Sequence, residues 1–144
     1  MPIIIDANRA CDFSRPVSSQ AAKIMDRIAQ KKMRVVVGGE LARELVKTKL
    51  RDLLQEWARA GRLSRYENGE VDKEEERIKL QSIRSDDPHL LALAILSGCR
   101  LLYTEDKELI RDFKDTSVIS PKGRVVKPTT SSRVAALLFE RFGR

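Results

Sequence analysis

The sequence predicts an α/β domain, a parallel β-sheet sandwiched by helices. Three observations carry that prediction. Short β-branched or aliphatic runs recur at Ile3–Ile5, Met33–Val37 and Leu101–Tyr103, as expected of strands buried on both faces. Between them lie segments whose apolar residues fall three and four apart, the period of a helix with one inward face. The chain has 144 residues, 42% of them hydrophobic, enough for one core, so residues 1–144 read as a single domain. Strands separated by helices need crossover connections, and crossovers give parallel pairs.

Each element has a local reason. Ile3–Ile5 is a strand ending at Asp6. Ser18 or Ser19 caps a helix carrying Ala21, Ile24, Met25 and Ile28 inward, with Val17 as a staple. Met33–Val37 is a second strand stopped by Gly38-Gly39, and one long helix is expected from about Glu40 to Ala60, ended by Gly61. Residues 62–68 read as a loop, and residues 71–83 as a largely polar helix with Ile78 and Ile83 inward. Residues 87–96 are apolar almost all round, which marks a buried helix ending at Gly98. Leu101–Tyr103 is a third strand, followed by a short helix with Leu109, Ile110 and Phe113 inward. Residues 117–119 are expected to form a fourth strand and Val125-Val126 a further short one. Ser131 or Ser132 caps a last helix carrying Val134, Leu137, Leu138 and Phe142. That face packs on the core or meets a second copy of the chain as a homodimer.

Composition excludes several classes. The longest apolar run, Leu90–Leu96, is far short of the roughly 20 residues that span a bilayer. The N-terminus has neither a basic flank nor a small-residue cleavage site, so no secretory leader and a cytoplasmic location are expected. Cys11 and Cys99 are distant in sequence and lack metal-ligand spacing, so both read as buried free thiols in a reducing compartment. Lysines and arginines number 28 against 21 acids, a net charge of +7. A basic surface suits a polyanion, whose bound counterions are released on contact, although solubility alone also explains it. From Arg111 to Arg144 eight bases face three acids, so much of the excess lies in the tail.

The chemistry resides in acids. In parallel α/β sheets, ligands bind beyond the carboxyl ends of the strands. Asp6 ends the first strand and Thr104-Glu105-Asp106 the third. After the second, Gly38-Gly39 opens the helix that carries Glu40 and Glu44, and Asp86-Asp87 opens the buried helix. Four elements thus send carboxylates to one end of the sheet. Such acids raise one another's pKa, and a hard cation relieves the repulsion. Oxygen-only donors favour Mg²⁺ or Mn²⁺; no His or Cys pair supports zinc. With the basic surface, that combination points to phosphodiester hydrolysis. Each acid also has a plain structural alternative as a cap, a turn residue or a solvated side chain.

Four sequence blocks resemble the PIN-domain family of metal-dependent nucleases. They are Ile3-Ile-Ile-Asp6-Ala-Asn8, Val35-Val-Val-Gly-Gly-Glu-Leu-Ala-Arg-Glu44-Leu45, Asp86-Asp87-Pro-His-Leu-Leu-Ala-Leu-Ala94 and Leu101-Leu-Tyr-Thr104-Glu-Asp106. Together they span roughly residues 2–120. The resemblance implies an Mg²⁺ or Mn²⁺ site and cleavage of single-stranded RNA. By position, it places the four acids on Asp6, Glu44, Asp87 and Asp106, with Glu40 and Asp86 as alternatives to Glu44 and Asp87. Thr104 matches the hydroxyl residue beside the last acid. Small stand-alone members of this family are often toxins, which implies an antitoxin protein as partner.

Around these acids, Asn8 is placed to orient Asp6 or a water, and His89 to support the acids or simply to pack. Arg9 and Lys107 flank the site in sequence; Arg124, Lys127, Arg133 and Arg141 are broader candidates for phosphate contacts. Gly38-Gly39 lacks the dinucleotide fingerprint and the P-loop lysine, so it reads as a turn. Trp57 and Tyr103 read as core. Two other readings of the same residues are a weakly catalytic module that binds nucleic acid or protein, and a nuclease directed at DNA.

Overall fold

The computed structural model describes residues 1–141. Five strands form one sheet in the order β3-β2-β1-β4-β5: β1 (Pro2–Ile5), β2 (Arg34–Val37), β3 (Leu63–Arg65), β4 (Leu101–Tyr103) and β5 (Arg124–Val126). Every neighbouring pair is parallel. The helices are α1 (Ser19–Ala29), α2 (Gly39–Leu45), α3 (Arg51–Arg59), α4 (Asn68–Lys79), α5 (Pro88–Ser97), α6 (Lys107–Phe113) and α7 (Ser132–Arg141), with a 3-10 segment over Ala7–Phe13. Ile3, Ile4 and Ile5 are sealed from solvent; consecutive residues of a strand face opposite ways, so both faces of the sheet are covered.

Local signals place most of these elements. Ser18 caps α1, its hydroxyl accepting from the Ala21 amide at 3.2 Å. Gly98 ends α5 in the left-handed region at φ +76°, where glycine alone is unstrained. Gly39 also lies at positive φ, +60°, and a β-carbon there would come within 2.6 Å of Val71 Cγ1. The glycine pair therefore makes the turn after β2 and lets α4 lie close against α2. Asn68 Oδ1 accepts from the Gly39 amide at 2.9 Å.

Six expectations are corrected. The single helix over 40–60 is two helices, because Thr48 interrupts it. Its hydroxyl donates to the Leu45 carbonyl at 2.7 Å and accepts from the Leu50 amide at 3.2 Å, competing with the helical backbone bonds. Residues 62–68 hold β3, which pairs with β2 from Val35↔Leu63 to Val37↔Arg65. Residues 117–119 are a turn, not a strand: the amides of Val118 and Ile119 both donate to the Asp115 carbonyl, and that of Ser117 to its carboxylate. The polar helix runs over Asn68–Lys79, so Ile83 packs from the following loop. On α7 the buried residues are Ala135 and Phe139, while Val134 and Leu137 are exposed. Phe142 lies outside the described residues. Trp57 and Tyr103 are buried, both edge-on to Phe13. Of the two thiols expected to be buried, Cys99 is, whereas Cys11 is exposed on the 3-10 segment.

Candidate active site

The carboxyl ends of β1, β2 and β4 converge on one edge of the molecule, and the acids collect there. Asp6 follows β1 and is only 4% exposed. Its Oδ1 accepts from the Asn8 amide at 3.1 Å and its Oδ2 from the Thr104 hydroxyl at 2.7 Å. Thr104 follows β4 and is fully buried. Its Oγ1 also accepts from the Asp106 amide at 3.2 Å. Asp6 and Asp106, 100 positions apart in sequence, are thus tied to one hydroxyl. Asp106 caps α6, with Oδ1 accepting from the Glu108 and Leu109 amides, which leaves its second oxygen outside the cap.

Asp87 stands at the N-cap position of α5 but makes no capping hydrogen bond with its side chain. Burial pushes its carboxyl above the ordinary value; nearby His89 opposes that rise, and the charges of Asp6, Asp106 and Glu44 add to it. All four acids therefore share one electrostatic neighbourhood. The loop that delivers Asp87 is anchored by Asp112 of α6, a buried carboxylate that accepts from the amides of Arg84 and Ser85 at 2.8–3.0 Å. Ser85 Oγ in turn accepts from the Asp87 amide at 3.2 Å. Asp112 escaped the sequence reading. Its one local sign was an acid on the face of α6 shared with Leu109 and Phe113, where an apolar residue is the norm.

Glu44 lies near the C-terminal end of α2, where its Oε1 meets His89 Nε2 at 2.7 Å. Glu40 points elsewhere: it is exposed and pairs with Arg43, which also grips Asp72. Asp86 is exposed. The bases divide as well. Arg9 is engaged by Glu105 at 2.9 Å and by Asp12 at 3.7 Å. Lys107 is exposed next to Asp106, and Lys127 is exposed just past the end of β5. Arg124 opens β5 level with Leu101, so its backbone lies at the opposite end of the sheet from the acids. Asn8 contributes its backbone amide to Asp6.

Among the described residues, no three His, Cys, Asp or Glu side chains form a ready-made ion cage. The donor chemistry still fits a hydrated hard cation. The carboxylates of Asp6 and Asp106 retain unused lone pairs, Asp87 is uncapped, and Mg²⁺ keeps several of its own waters. A cavity of about 490 Å³ lies between α2, α3 and β3 and includes none of these acids. No helix among the described residues is long and apolar enough to cross a membrane.

Compared with known proteins, the sequence matches no protein-family model and no curated protein. Its fold is similar to a solved structure, VapBC2 from Rickettsia felis bound to a DNA fragment from their promoter. The TM-score is 0.52 at 14% identity, covering 88% of this chain and 98% of that one. The architecture is PIN-like. At that identity the likeness speaks for the PIN-like fold alone, and the chemistry rests on the side chains.

Proposed function

We propose that this protein is a metal-dependent endoribonuclease that hydrolyses phosphodiester bonds of single-stranded RNA and serves as the toxin of a toxin–antitoxin pair. One observation carries the reading: Asp6, Glu44, Asp87 and Asp106 arrive from four elements at the carboxyl edge of a parallel sheet, where the charges of the other three add to the cost that burial sets on charging Asp87. The resemblance noted in the sequence supports the nuclease part of the proposal, and the fold shared with a VapBC2 structure solved on promoter DNA supports the partner part.

The four acids would hold Mg²⁺ or Mn²⁺, which when bound supplies Lewis-acid stabilisation of the phosphoryl oxygens and lowers the pKa of attacking water. Thr104 and the Asn8 amide hold the Asp6 carboxylate still, so its orientation is set before an ion binds. Asp112 and Ser85 do the same for the backbone of Asp87. Lys107 and Lys127 lie at the same edge to meet the phosphates of a strand, and the net charge of +7 draws a polyanion in. Arg9, bound to Glu105, buttresses the rim. Val134 and Leu137 form the candidate surface for a second copy.

The test is cleavage of labelled single-stranded RNA and of a DNA strand of the same sequence, with Mn²⁺ and with chelator. Internal RNA cleavage that needs Mn²⁺ and disappears in Asp6→Asn and Asp106→Asn, with both variants still folded, is the expected result. Equal cleavage by variant and wild type removes the mechanism, and cleavage of DNA alone changes the substrate class. The absence of a ready-made ion cage among the described residues favours one rival, a binding module with little catalysis; such a module gains no thermal stability from Mn²⁺, whereas a metal-binding nuclease does.

A further inference from the structure

We propose that His89 is a positioning residue whose Nε2–H holds the Glu44 carboxylate within the acid cluster. The proposal rests on the metal-site reading above. His89 is the second residue of α5, and from Pro88 to Ala94 every other residue is apolar and buried. Its own side chain is only 9% exposed. An aliphatic residue would fill that place without burying a polar ring, so a partner must explain the imidazole.

The partner is Glu44. Its Oε1 lies 2.7 Å from His89 Nε2, is shielded from solvent, and is otherwise an orphaned polar atom: it makes no well-aligned hydrogen bond to any group, which leaves this close approach as its one available donor. An ionised carboxylate oxygen only accepts, so the proposed contact places the proton on Nε2; the opposite tautomer would set two lone pairs against each other at contact distance. Glu44 also needs this help for a reason of its own. It sits near the C-terminal end of α2, where the helix dipole disfavours an anion. A glutamate has a long, mobile side chain, and a donor from α5 removes much of the rotamer freedom that ion binding would otherwise have to quench. Carboxylates that ligate metal ions are characteristically held by such hydrogen-bond partners, whose loss weakens metal binding about 10–100-fold.

The experiment measures Mn²⁺ affinity by calorimetry on the full chain for wild type, His89→Leu and His89→Gln, with unfolding in chelator followed in parallel. Leucine fills the space and removes the donor, so His89→Leu should bind Mn²⁺ about 10–100-fold more weakly. Glutamine restores an N–H, so His89→Gln should recover most of the affinity. Nitrogen-correlated NMR of the single histidine in the metal-free wild type should show the proton on Nε2. If His89→Leu does not fold, His89→Asn, too short to reach Glu44, replaces it with the same expectation. Wild-type affinity in the donor-less variant, or a proton found only on Nδ1, overturns the role of His89 and leaves the metal site standing. No Mn²⁺ binding by wild type overturns the metal site, and this inference with it.

Discussion

Replacing Thr104 by valine removes one hydroxyl and almost nothing else. Valine has nearly the same shape, so no cavity opens in a position fully closed to solvent. Two partners lose their bond. Asp6 Oδ2, on a carboxylate 4% exposed, loses a donor at 2.7 Å; a hydrogen bond to a charged group contributes about 1.5–3 kcal/mol. The Asp106 amide loses an acceptor at 3.2 Å, a longer and less buried contact that adds about 0.5–1 kcal/mol. The expected cost is therefore about 2–4 kcal/mol, which in a domain of this size lowers the melting temperature by about 6–12 °C. Denaturant unfolding in chelator measures it directly. Thr104→Ser keeps the hydroxyl and should recover most of the loss, separating the hydrogen bonds from packing. In the cleavage assay Thr104→Val should be about 10–100-fold slower, because Asp6 is no longer held. A valine variant as stable as wild type would show that Thr104 does not bind the two acids together.

Three further outcomes are expected. Asp87 is raised in the folded state, so its charged form opposes folding. Stability from this group is present below its ordinary value and falls as pH rises through the raised one, so Asp87→Asn in chelator at neutral pH should match or exceed wild type, by up to about 1 kcal/mol for a half-exposed group, while losing stabilisation by Mn²⁺; a clear loss of stability in chelator would refute the electrostatic reading. Asp112→Asn should speed hydrogen exchange at the Arg84 and Ser85 amides and cost about 2–4 kcal/mol, and unchanged exchange would free the Asp87 loop from that anchor. Burial pushes the Cys99 thiol up to about 11 from 9.0, so native protein at neutral pH should show one rapidly reacting thiol, the exposed Cys11, and two after unfolding. Because the unfolded thiol ionises first, stability should fall as pH climbs from about 9 towards 11, and less steeply in Cys99→Ala.

The neighbourhood of each residue in the chain was enough to locate much of this protein. Apolar runs at Ile3–Ile5 and Leu101–Tyr103, the Ser18 cap and the Gly98 stop act within a few positions of themselves, so their signal is written locally. The acids Asp6 and Asp106 were legible for the same reason: each directly follows, or nearly follows, a recognisable strand. Tertiary contact decided what local pattern could not. Leu63–Arg65 has no strand signature and becomes one because β2 offers its edge; residues 117–119 have the apolar look of a strand, yet their amides find Asp115 first. Glu40 and Glu44 part in space: Glu40 faces outward to Arg43, itself paired with Asp72, while Glu44 lies 2.7 Å from His89. Asp112 mattered only once α6 lay beside the loop before Asp87. Hydrogen bonds and charge pairing depend on distance in space, and partners separated by dozens of positions meet only when the sheet order β3-β2-β1-β4-β5 brings their strands together.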